Sequence, residues 1–76
     1  MTERTYAEPT ILWRMCHPDG FRAHATVIPG SPATTLTWYI DGEMVRAENF
    51  EEWGAALVRA EEVKAAFAQT GWTVEE

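Results

Sequence analysis

Cys16, His17 and Asp19, with Arg22 and His24 just beyond them, are the side chains of this chain whose types come nearest to a reaction centre. A cysteine near a basic residue and a histidine is the raw material of a thiolate nucleophile, because the deprotonated sulfur attacks and a neighbouring positive charge favours it. Cys16, His17, His24 and Asp19 also carry the donor types of a zinc site. Neither pattern is complete. Side chains adjacent along a strand point to opposite faces, which separates Cys16 from His17. Cys16 with His24 lacks a third orienting group and an oxyanion site. The metal donors converge on no single face and match no zinc spacing. The expectation is a non-enzymatic protein with no metal and no cofactor.

Two further groups could bind rather than react. Asp41, Glu43, Glu48, Glu51 and Glu52 come from a turn, the strand after it and the start of a helix, and some of them are expected to gather at one end of the molecule. Residues 1–37 balance three carboxylates against three arginines, whereas residues 38–76 set nine against three, so the second half holds the whole net charge of −6. That set would suit a Lys/Arg groove, which predicts as partner a basic protein or nucleic-acid-binding complex. Arg14, Arg22, Tyr39, Met44 and Arg46 are the alternative. On one sheet face they would hold phosphates and stack a base, although the overall charge disfavours direct nucleic-acid binding. Leu12, Tyr39 and Met44 are more apolar than a solvated face requires and predict a protein contact or a homodimer.

The elements that must position these groups are marked by turns. A three-residue Pro18-Asp19-Gly20 loop, with Gly20 in the left-handed position of a bulged turn, pairs His17 with Phe21. Counting outward, Met15 faces Ala23, Trp13 faces Ala25 and Ile11 faces Val27 on an apolar side, while Cys16 faces Arg22, Arg14 faces His24 and Leu12 faces Thr26 on the other. Asp41-Gly42 is a two-residue type I′ signal. It pairs Ile40 with Glu43, Trp38 with Val45 and Leu36 with Ala47 inward, leaving Tyr39, Met44, Thr37, Arg46, Thr35 and Glu48 outward. Pro29-Gly30-Ser31-Pro32-Ala33 reads as the connection between the hairpins.

A helix is predicted over 50–70. Asn49 as N-cap with Glu52 three residues on forms a capping box. Trp53, Ala56, Leu57, Ala60, Val63 and Phe67 form the buried stripe, and Glu51, Glu52, Glu61 and Glu62 face solvent. Gly71 is the left-handed residue past the end, with Trp72 packing back on Phe67. The expected fold is α+β: a four-stranded antiparallel meander of two hairpins, ββββα, with one long C-terminal helix across its apolar face.

One domain is expected over 1–76, with an arm at 1–8, the sheet at 10–48, the helix at 50–70 and an acidic tail at 73–76. A single cysteine excludes an internal disulfide, so the core itself must hold the fold. The first residues carry no apolar run like a signal peptide and no segment approaches membrane-spanning length, which predicts a cytoplasmic protein without a membrane partner. Small size, one cysteine, an acidic balance and the lack of a catalytic signature together resemble the small inhibitors that phages and mobile elements use against host defence, anti-CRISPR proteins among them. The resemblance is one of profile without a shared motif. It implies a non-enzymatic module that blocks a basic, nucleic-acid-handling partner.

Overall fold

Period-2 patterning around two glycine turns produces an antiparallel meander. The computed structural model describes residues 9–30 and 33–75, so the expected arm at 1–8 lies outside the described residues. β1 (Thr10–Cys16), β2 (Arg22–Ile28), β3 (Thr34–Ile40) and β4 (Glu43–Phe50) are followed by α1 (Trp53–Ala68) and a two-residue β5 (Thr73–Val74). The sheet runs β4-β3-β2-β1-β5 with β1–β2, β2–β3, β3–β4 and β1–β5 all antiparallel. The expected α+β architecture is present, with one short strand more than anticipated.

Both turns form as their residues dictate. His17 N–H donates to the Phe21 carbonyl (2.9 Å), Gly20 N–H to the His17 carbonyl (2.8 Å), and Gly20 has φ +100°. Asp41 and Gly42 have φ +52° and +84°, the positive pair of a type I′ turn.

Moving away from each turn, the register departs from simple counting by one residue. Between Trp13 and Ile11 the pairing slips, so Ile11 faces Thr26 and Thr10 faces Val27. Leu12, expected on the outer face, packs against the core instead, and Ile11 is left exposed. The second slip lies between Tyr39–Met44 and Trp38–Arg46 and leaves Val45 without an opposite residue. A bulge of this kind turns every later side chain to the other face. Arg46 and Glu48 therefore lie on the helix side of the sheet rather than the outer side, and Val45, expected in the core, is 52% exposed. The physical reason is visible at the end of β4. The bulge swings Phe50 inward against the core and presents Glu48 to Arg59 of the helix. Without it the strand would bury the smaller Val45 and Ala47.

The core comprises Trp13, Met15, Ala23, Ala25, Val27, Leu36 and Trp38 from the sheet under Ala56, Ala60 and Val63 from α1. The helix lies nearest to β3 and β4, and Trp13 of β1 ties the two layers through an indole N–H donated to the Ala60 carbonyl (3.1 Å). Leu57 and Phe67 are half-buried.

The helix begins three residues later than predicted. Asn49 is the penultimate residue of β4, opposite Thr35, whose hydroxyl donates to Asn49 Oδ1 (2.8 Å), so its side chain is not free to cap. Glu52 occupies the cap position in extended geometry without a side-chain hydrogen bond. Trp53 lies at the first helical position and is 41% exposed, not core. The far end matches expectation. Trp72 N–H reaches the Phe67 carbonyl, Gly71 N–H reaches that of Ala68, Gly71 has φ +100°, and the Trp72 and Phe67 rings lie 5.1 Å apart. Thr73 and Val74, expected in a loose tail, pair with Cys16 and Met15, and Glu75 N–H donates to the Arg14 carbonyl (2.8 Å).

Candidate binding surfaces

The acidic set does not gather. Asp41 and Glu43 lie at the β3–β4 turn and Glu51 and Glu52 follow the other end of β4, so at ~3.4 Å per residue the two pairs are separated by roughly 24 Å. Asp41 has local work. Its N–H donates to the Arg22 carbonyl (2.7 Å) and its Oδ1 accepts the Arg22 N–H (3.0 Å), extending the β2–β3 ladder by one position.

Glu48 is internally paired. Its Oε1 accepts from Arg59 Nε (2.9 Å) and its Oε2 from Arg46 Nε (2.8 Å), while Arg59 also reaches Glu62 (3.2 Å) and lies over the Trp38 ring (5.8 Å). The hydrogen bond from Arg59 holds the Glu48 carboxyl below the usual glutamate range, partial burial opposes it, and the charges of Arg59 and Arg46 reinforce it. Arg59 is raised in turn, first by its hydrogen bond to Glu48 and then by that to Glu62. This network fastens α1 to the edge strand. Glu43, Glu51 and Glu52 are exposed, and no ion-pair partner lies within reach of them among the described residues.

The alternative set fares better. Arg14, Arg22, Tyr39 and Met44 share the outer face of the sheet, and only Arg46 has left it. Arg14, His24, Tyr39 and Met44 form a row across four strands, in which the His24 and Tyr39 rings stack 4.6 Å apart at 14°. The next row is Ile11, Thr26, Thr37 and Ala47. Thr26 and Thr37 are each only 6% exposed although no described element lies over them, because the larger side chains around them shade the sheet floor. Thr26 Oγ1 has no hydrogen-bond partner. Met44 at the end of the first row is 62% exposed.

The residues first considered for chemistry are engaged separately. Cys16 Sγ lies 3.7 Å from the Thr73 hydroxyl, and His24 stacks on Tyr39. His17 accepts the Asp19 N–H at Nδ1 (3.1 Å), faces the Thr70 carbonyl from Nε2 (3.3 Å) and meets the Trp72 ring edge-on, so it buttresses the helix end.

The stacking of His24 on Tyr39, the shaded Thr26 and the role of Arg59 were not anticipated. The first two follow from the β2–β3 pairing, which no turn in the sequence marks. The Arg59–Glu62 spacing on one helix flank was the available signal for the third. Among the described residues no helix is long and apolar enough to cross a membrane. Compared with protein-family models, curated proteins and solved structures, the chain finds a match in none.

Proposed function

We propose that the protein is a non-enzymatic protein-binding module, acting in the cytoplasm, whose working surface is the open outer face of the sheet. Thr26 carries this reading. It is 94% shielded at the centre of a face that no described element covers, and its hydroxyl lacks a partner. A buried, unpaired polar group costs about 1–3 kcal/mol, which a docked chain that displaces the side chains shading Thr26 would recover with one hydrogen bond. Stacked His24 and Tyr39, exposed Met44 and exposed Ile11 surround it with the aromatic and methionine surface that interface centres favour, and Arg14 and Arg22 give it a cationic rim. The same face suits nucleic acid less well. Arg46 lies on the other side, and one face of the Tyr39 ring is already occupied by His24. A photo-cross-linking residue at Met44, compared with one at Glu62 on the helix face, tests the reading in cells. A single protein partner captured from Met44 alone is expected, with Tyr39→Glu weakening the purified complex at least tenfold. Unchanged affinity in Tyr39→Glu overturns it.

A second reading is the small acidic inhibitor of a basic, nucleic-acid-handling partner, of anti-CRISPR or other anti-defence type. Glu51 and Glu52 favour it. Both are exposed and unpaired among the described residues, and they directly precede the exposed Trp53, an aromatic anchor flanked by negative charge. Glu51→Lys with Trp53→Ala should then weaken that complex at least tenfold and reduce its salt dependence. A complex insensitive to both changes excludes it.

A further inference from the structure

The two edges of the sheet are finished differently. β1 is covered at Met15 and Cys16 by β5, and its remaining length is broken by the bulge at Leu12. β4 has β3 on one side and, among the described residues, no strand on the other, and its residues from Glu43 to Ala47 are all exposed. Alternate residues of such an edge turn their N–H and C=O groups outward, a template for another strand. The bulge at Val45 and the charges of β4 guard the half nearest the turn. From Arg46 to Phe50 the pairing with β3 is regular, so the outer edge there is regular as well.

We infer that this edge pairs with β4 of a second copy of the same chain, antiparallel about a two-fold axis at Ala47, to give one continuous ten-stranded sheet. Charge selects both the occupant and the register. Arg46 and Glu48 lie on the same side of the sheet with small Ala47 between them. An axis at Ala47 places Arg46 of each copy opposite Glu48 of the other, so the two internal pairs join in an alternating array. An axis at Arg46 or at Glu48 would place like charges opposite each other, which destabilises a cross-strand pair. A partner without this Arg-Ala-Glu order gains no such match. The outer sheet face argues the other way for self-association, since Arg14 and Arg22 would meet their own copies. The inference is independent of the proposed function, because pairing at the edge leaves that face open.

The test is sedimentation of the full chain over a wide concentration range at physiological ionic strength, where the net charge of −6 is largely screened. A reversible dimer is expected. Arg46→Glu, which sets carboxylates opposite each other, should weaken it at least tenfold, while Tyr39→Glu leaves it intact. In a Cys16→Ser background, Ala47→Cys should form an intermolecular disulfide, because directly opposed residues bring their Cα atoms to about 5.5 Å. Glu43→Cys should not, since this register places the two copies of residue 43 roughly 27 Å apart at ~3.4 Å per residue. A strict monomer with no Ala47→Cys cross-link overturns the inference. So does a dimer that Tyr39→Glu dissociates and Arg46→Glu spares, or equal cross-linking at the two cysteine positions.

Discussion

Trp13→Phe isolates the main tie between sheet and helix. Trp13 is buried, its indole N–H donates to the Ala60 carbonyl, and its ring lies 5.7 Å from that of Phe67. Phenylalanine keeps the six-membered ring and removes the donor. The lost hydrogen bond is worth about 1 kcal/mol net, and no orphan acceptor is left because the Ala60 carbonyl keeps its helical partner. The lost ring removes ~50 Å² of buried apolar area, about another 1 kcal/mol, to which incomplete closure of the gap adds. The expected loss is therefore about 2–3 kcal/mol. For 76 residues the total stability is of order 4–11 kcal/mol, so this is a large fraction. Urea denaturation followed by far-UV circular dichroism measures it without relying on tryptophan emission. Trp53→Phe is the control, since Trp53 is exposed, and should cost below about 0.5 kcal/mol. Equal losses in the two variants would refute the placement of Trp13 as the interlayer tie.

Glu52→Asp keeps the charge and supplies a short side chain able to cap, where Glu52 makes no cap bond; denaturation should show a gain of about 0.5–1 kcal/mol. Gly71→Ala should lose about 1 kcal/mol or more, because φ is +100° and the added methyl would lie 3.2 Å from His17 Nε2. The depressed Glu48 carboxyl gives a pH signature. Its stabilisation is fully present above the ordinary glutamate pKa of about 4.3 and is lost as pH falls through the lower folded value, so the stability gap between wild type and Glu48→Gln should close in acid. A gap constant from neutral pH into that range would contradict the network.

What the sequence made legible was local. Gly20, Gly42 and Gly71 each sit where a left-handed backbone is required, and the strand and helix boundaries beside them follow. The bulge at Val45 was hidden because it is settled in part by Arg59 of the helix, which pairs with Glu48 and which the alternation within one strand does not contain. Asn49 carried a sound capping signal, but continued pairing with Thr35 satisfies the same residue within the sheet. β5, at two residues, is too short for any periodic pattern. The same division holds for the surfaces. Arg14, Arg22, Tyr39 and Met44 share a face because they flank tight turns, whereas the acidic residues, grouped along the chain, are carried apart by the length of β4.

The two-residue strand β5 sets the order in which this molecule comes apart. Every other strand pair joins neighbours along the chain, whereas β1 meets β5 across 57 residues at Cys16 and Thr73. Closing that loop rather than the six-residue span from Cys16 to Arg22 costs about 2 kcal/mol more in chain entropy, with little pairing to offset it. β5 and the last helical turn should therefore form last in folding and be the first segment to exchange amide hydrogens in the native state. When it opens, Met15 and Cys16 lose the pairing that covers them, and the edge at β1 lies bare along its described length as β4 does. The final strand is held in place by the packing of Trp72 on His17 and by the Arg22–Glu75 contact, so weakening either should make it open earlier still.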